Sequence, residues 1–221
     1  MSTTPTRVLL AEDHVIVRLG IRALLDASEE VQVVGETSNG REAVDLCRSL
    51  QPDVVLMDVA MPELNGIDAA RQITTSYPNI QVLILSMHGE QQYLYESLRA
   101  GARGYVPKAA AFTELLVGIR EVMAGHRYVS PSLADAVIED YVRRGKGDAV
   151  PHEGNQLSGR EREVIQLIAE GHSSAEVASA LFISVRTVDT HRHNIMQKLK
   201  IRSVAGLTKF AIRNGLCSLN S

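Results

Sequence analysis

Hydrophobic and polar positions along this chain follow two regimes. Up to about residue 125, short continuous apolar runs alternate with helix-length amphipathic segments. The runs cover residues 8–11 (VLLA), 31–35, 54–57 (VVLM), 82–85 (VLIL) and 104–106. The segments between and after them cover 15–27, 41–50, 67–76, 91–100 and 112–124. VLLA, VVLM and VLIL show no in–out alternation, the pattern of strands covered on both faces. In the first helical segment Ile16, Leu19, Leu24 and Leu25, with Ile21 less regular, predict a helical apolar stripe. Five β–α units in succession predict an α/β fold: a doubly wound, five-stranded parallel sheet, with the first and third strands adjacent.

From residue 156 onward the strand signal disappears. Ser158-Gly159-Arg160-Glu161 and Ser173-Ser174-Ala175-Glu176 are S-x-x-E capping boxes ahead of helical periodicity. A third helix opens at Ser184 and runs to about Leu199; a fourth runs from Ser203 to Asn214 and is closed by Gly215. These predict a small all-α, four-helix domain. Between the two regimes, Ser130-Pro131 starts one helix extending to about Arg143, followed by the Gly-, Pro- and charge-rich RGKGDAVPHEGNQ. The expected organisation is a first domain over 1–128, a linker with one helix and a flexible stretch over 129–155, and a helical domain over 156–221.

Composition narrows the class without naming it. The chain has 221 residues, 45% of them hydrophobic and 22% charged, which suits two globular domains. No apolar stretch has the length of a membrane span, and the N-terminus runs straight into a strand with no signal peptide. The expected location is therefore the cytoplasm, with no membrane partner. Cys47 and Cys217 lack metal-ligand or redox spacing and suit a reducing compartment. The net charge of −3 conceals an asymmetry: residues 1–128 carry 11 Lys+Arg against 16 Asp+Glu, whereas residues 156–221 carry 9 against 5. An acidic front and a basic back imply different partners, and a polyanion fits the back.

The apolar runs of the first domain end on chemistry. Glu12 and Asp13 follow the first strand, Asp58 ends the third, Ser86 the fourth, and Lys108 lies just past the fifth. Ligand sites of open parallel sheets lie outside the strands' carboxyl ends. Adjacent first and third strands would bring the three carboxylates into one shallow pocket. Mutually repelling acids need a cation, and oxygen ligands alone point to a hard divalent ion, Mg²⁺ above all. Lys108 offers an ammonium and Ser86 a hydroxyl to phosphoryl oxygens, and Asp58 is placed to act as a carboxylate nucleophile.

LLAEDH, VVLMDVAMPELNG, ILSMH and AGARGYVPKAA resemble the receiver domain of two-component response regulators over residues 7 to about 124. The resemblance implies a flavodoxin-like sheet of order 2-1-3-4-5. It also implies Asp58 as phosphoacceptor, and Mg²⁺ held by Glu12, Asp13, Asp58 and the backbone carbonyl of Ala60. Ser86 and Lys108 would bind the phosphoryl group, with Tyr105 at the aromatic switch position. One departure is that Pro107 precedes Lys108, where many receivers have Lys followed by Pro. Two rival readings are weaker. An aspartyl-phosphate phosphohydrolase commonly needs a second Asp two residues after the nucleophile, where this chain has Ala60. A dinucleotide-binding protein needs a glycine-rich first loop, where this chain has AEDHVIVRLG.

In the helical domain, Val177, Ala178, Leu181, Ile183, Val188, Ile195 and Leu199 predict a buried face around a tight turn at Phe182-Ile183. Residues 157 to about 214 closely resemble the LuxR-type helix-turn-helix of the NarL/FixJ subfamily. By that resemblance residues 184–199 form the recognition helix for the major groove of double-stranded promoter or operator DNA. Arg186, Thr187, Asp189, Thr190, His193 and Asn194 are the candidate contacts, while Arg192 and Lys198 meet phosphates. Asp189 stands where relatives frequently have Lys. Val204, Leu207, Thr208 and Ala211 mark the face of a DNA-bound homodimer. The whole chain then reads as a transcription regulator, not an enzyme with an external substrate. A sensor histidine kinase would switch it through Asp58. The alternative that keeps the fold is a DNA-binding protein indifferent to phosphorylation.

Overall fold

A computed structural model describes residues 4–87, 91–110, 112–133 and 157–217. They form two compact units, one built on strands and one of helices alone.

The first unit alternates β1 (Thr6–Ala11), α1 (Val15–Asp26), β2 (Val31–Thr37), α2 (Gly40–Leu50), β3 (Val54–Asp58), α3 (Gly66–Ser76), β4 (Gln81–Ser86), α4 (Gln91–Arg99), β5 (Gly104–Pro107), α5 (Phe112–Met123) and β6 (Tyr128–Val129). All strand pairs are parallel, in the order β2-β1-β3-β4-β5-β6. The first five strands stand in the predicted order. The sixth corrects the count: Gly125 (φ 86°) turns the chain after α5, and Tyr128 then pairs with Gly104 at the sheet edge. Two residues are too few to carry a period, so this strand exists only through its pairing.

Every residue of β3 is buried, as are all of β4 after Gln81 and the last four of β1. On one face Val8, Leu10, Val54, Leu56, Leu83, Leu85 and Val106 form a cluster with Leu25, Leu115, Ile119 and Val122. Their alternating neighbours Leu9, Val55, Met57 and Ile84 are buried as well, so both faces are covered.

The α1 stripe is out of phase with the expectation. Only Leu25 is buried in that helix, and Ile21 packs beside it. Ile16, Leu19 and Leu24 are 86%, 60% and 45% exposed. At 3.6 residues per turn Ile16 lies about opposite Leu25, so no single face could bury both.

The second unit contains α6 (Gly159–Ala169), α7 (Ser174–Ala180), α8 (Val185–Leu199) and α9 (Val204–Arg213). Both predicted capping boxes close, Ser158 with Glu161 and Ser173 with Glu176, and Ser184 caps α8 by accepting from the Thr187 amide. The core gathers Leu157, Val164, Ile165, Val177, Leu181, Val188, Ile195, Leu207 and Phe210, with Ile183 and Leu199 partly buried against it. Leu207 and Ala211 have no exposed surface, which removes them from the predicted dimer face; of that set Val204 and Thr208 remain accessible. The helix predicted after Ser130 begins at Pro131, but its continuation beyond residue 133 and the linker to 156 lie outside the described residues.

Candidate functional site: an acidic pocket and a helix-turn-helix

The pairing of β1 with both β2 and β3 places the ends of β1 and β3 side by side, Ala11 opposite Met57. Glu12, Asp13 and Asp58 therefore converge, and His14 joins them: one ligand atom from each lies within 4.8 Å of all the others. Glu12 is fully buried and Asp58 nearly so, while Asp13 and His14 form the rim. The Lys108 side chain is buried, and its Nζ pairs with Glu12 Oε2 at 2.6 Å and with Asp58 Oδ2 at 2.8 Å. Asp58 Oδ1 accepts from the Val59 amide at 2.7 Å. Arg18 ties α1 to the strand end through the Glu12 carbonyl, 2.6 Å away.

The electrostatics follow from burial. Desolvation pushes the Asp58 carboxyl up to about 7; Lys108 opposes this, while Glu12 and Asp13 reinforce it. One ammonium thus faces three carboxylates, and a further cation would offset the excess negative charge. The three carboxylates offer oxygen donors, two buried and one on the rim, which fits a hard divalent cation.

The remaining predicted residues of this pocket divide. Ser86 is buried at the end of β4, and its carbonyl accepts from the Lys108 amide at 2.8 Å, so the two are tied through the backbone. Tyr105 has no exposed surface: it is among the largest fully buried side chains, not an aromatic lying on an edge. Ala60 sits two residues past Asp58, in the loop that leads to α3. Gly66, the last residue of the VVLMDVAMPELNG stretch, opens α3. Its amide donates to the Val59 carbonyl at 2.9 Å, and a Cβ there would sit 1.7 Å from the Asp58 carbonyl oxygen. Only glycine lets the helix start so close beside the strand end.

In the second unit, α7, the turn at Phe182 (φ 54°) and α8 form a helix-turn-helix. Val188 and Ile195 anchor α8 in the core. Arg186, Asp189, Thr190, His193 and Asn194 are exposed, and Thr187 is partly so. Two predicted phosphate contacts are engaged within the domain. Lys198 Nζ lies 2.7 Å from Glu161 Oε2, clamping the last turn of α8 to the start of α6. Arg192 lies 3.1 Å from Asp189 Oδ1, which also accepts from Ser174 Oγ at 3.2 Å. An acid-lined strand-end pocket and a separate helix-turn-helix define a class: a switchable receiver joined to a DNA reader.

The comparisons agree. Residues 8–120 match the response regulator receiver domain family, and residues 155–211 match the bacterial regulatory proteins of the luxR family. The oxygen regulatory protein NreC of Staphylococcus carnosus is 35% identical over 95% of this chain and 98% of its own. A LuxR-family two-component response regulator from Aurantimonas sp. SI85-9A1 is 36% identical, covering 62% of this chain and 99% of that one, with a TM-score of 0.60. A structure of two RcsB dimers bound to two parallel DNAs matches at 26% identity and a TM-score of 0.58, over 95% of this chain and 98% of that one. The chain belongs to the response regulators that join a receiver to a LuxR-type DNA-binding domain. It is a transcription regulator controlled by phosphorylation.

Proposed function

We propose that Asp58 accepts a phosphoryl group from a sensor histidine kinase, and that this modification switches DNA binding by the helix-turn-helix. The carrying observation is the Lys108 ammonium, held 2.6 Å from Glu12 and 2.8 Å from Asp58 in a buried pocket. Glu12, Asp13, Asp58 and the Ala60 carbonyl would hold Mg²⁺, which when bound screens the charge of the incoming phosphoryl oxygens. Val59 N–H holds Asp58 Oδ1 and the Lys108 ammonium lies against Oδ2, so the carboxylate is oriented for attack. In-line attack forms the Asp58–phosphorus bond as the donor's histidine nitrogen–phosphorus bond breaks. Lys108 then turns from the carboxylate to a phosphoryl oxygen, and Ser86 gives a second hydrogen bond. Ser86 and Lys108 share a backbone hydrogen bond, so their movement carries to β5, where buried Tyr105 forms the switch.

In the second unit Arg186, Thr187, Asp189, Thr190, His193 and Asn194 face the major groove as candidate contacts. Two copies would bind two half-sites, with Val204 and Thr208 on the accessible face of α9. A regulator of this kind works on promoter DNA in the cytoplasm, and water clears the phosphoryl group without turnover of an external substrate. The test is intact-mass analysis after incubation with a small phosphodonor and Mg²⁺. The expected result is one added phosphoryl group, absent in Asp58→Ala; phosphorylation that persists in Asp58→Ala overturns the assignment.

A further inference from the structure

Glu12 uses its two oxygens on different neighbours. Oε2 lies against Lys108 at 2.6 Å, whereas Oε1 turns to His14, accepting its amide at 3.1 Å and lying 3.4 Å from its Nδ1. The same Nδ1 lies 2.7 Å from Asp13 Oδ1. His14 holds the N-cap position of α1 and makes no side-chain cap hydrogen bond, so its ring is committed to the acids rather than to the helix end. The ring is about half exposed, at the mouth of the pocket.

The two Nδ1 distances are those of neighbouring donors around a cation. With metal–ligand bonds of about 2.1 Å, adjacent donors of an octahedron lie about 3.0 Å apart and opposite ones about 4.2 Å. The Nδ1 distances of 2.7 and 3.4 Å bracket the shorter edge, whereas the 4.8 Å limit on the full set of Glu12, Asp13, His14 and Asp58 is wider than the longer separation, so the side chains would draw in around an ion. Lys108 pairs with Oε2, and Oε1 faces His14.

The geometry points to His14 as a fourth side-chain ligand of this cation site, which adds a nitrogen to an otherwise all-oxygen set. This inference rests on the cation site proposed above. Imidazole contributes little to Mg²⁺ and much to Mn²⁺, Co²⁺, Ni²⁺ or Zn²⁺. The site is therefore built to take nitrogen-accepting first-row divalent ions as well as Mg²⁺, and to bind them more tightly.

The test uses the full chain and metal alone. Pulsed electron paramagnetic resonance of bound Mn²⁺ at pH 8 should show coupling to one imidazole nitrogen. That coupling should be absent in His14→Ala, with folding confirmed by far-ultraviolet circular dichroism. Calorimetric titration should find Ni²⁺ binding weakened at least tenfold in His14→Ala, with Mg²⁺ binding weakened less than twofold. Asp13→Asn should weaken both ions. No nitrogen coupling in the wild-type protein, or coupling that survives in His14→Ala, overturns the inference. Equal losses for Ni²⁺ and Mg²⁺ also overturn it, because His14 would then act only by holding Asp13. Phosphorylation of the wild-type protein with Mg²⁺ is scored separately, so its failure counts against the proposed function and not against the ligand.

Discussion

Gly66→Ala offers the sharpest structural test of how the phosphoacceptor loop is built. The added Cβ would lie 1.7 Å from the Asp58 carbonyl oxygen, 2.8 Å from its carbon and 3.0 Å from Met57 Cγ. Two of these neighbours are backbone atoms of a buried strand and cannot rotate aside. Reaching ordinary contact at about 3.4 Å requires the start of α3 or the end of β3 to move by well over 1 Å. Overpacking of this kind costs about 1–3 kcal/mol, while alanine returns at most about 1 kcal/mol of helix propensity. The net expectation is a loss of about 1–2 kcal/mol in receiver stability. The functional effect should be larger. Asp58 Oδ2 sits 2.8 Å from Lys108, and a misplacement of about 1 Å in a reacting group costs roughly 100-fold in rate. Urea unfolding gives the first quantity, and phosphorylation by a small donor followed by intact mass gives the second. A variant with wild-type stability and a phosphorylation rate within twofold of wild type would refute the reasoning.

Other predictions follow from the second unit and the thiols. Lys198→Ala should destabilise the helical domain by about 1 kcal/mol, because the lysine is partly exposed, and leave the salt dependence of DNA binding unchanged; a slope lower by about 1 would return Lys198 to the phosphates. Burial opposes ionisation of Glu161, but hydrogen bonds from Lys198 and Ser158 prevail and hold its carboxyl below the ordinary 4.5. Its folded value is depressed, so its contribution to stability is full above about 4.5 and is lost as pH falls through the lower folded value. Acid unfolding of wild type against Glu161→Gln should show a gap at pH 7 that closes below pH 4.5; a constant gap would contradict this. Asp189→Ala should release Arg192 to phosphate, raising non-specific DNA affinity several-fold at low salt and steepening the salt slope by about 1; fluorescence anisotropy across a salt series decides. Burial pushes Cys47 up to about 12, and burial with the nearby Glu170 charge pushes Cys217 up to about 11. Neither thiol should therefore be alkylated by iodoacetamide at pH 8 until denaturant is added.

The sequence revealed the pocket because each acid ends a continuous apolar run, and parallel strands can place such ends together in few ways. It revealed the helix-turn-helix because the caps at Ser158, Ser173 and Ser184 are local features. The misses share a cause. Whether Ile16 or Leu25 faces the sheet depends on how α1 lies on it, and periodicity gives the spacing of a stripe but not which stripe is covered. β6 exists through its pairing with β5. The Lys198–Glu161 pair was hidden because its partners stand 37 positions apart. Ala211 looks like an interface, and Leu207 like interface or core, until α9 packs on α6.

The central claim is that one carboxylate, Asp58, converts a kinase signal into DNA occupancy. Its most direct measurement is DNA affinity of the full chain with Mg²⁺, before and after a small phosphodonor, in wild type and Asp58→Ala. The account predicts that the donor tightens wild-type binding and leaves Asp58→Ala unchanged. An equal response in both proteins, or none in a wild-type sample shown by mass to be phosphorylated, would contradict it.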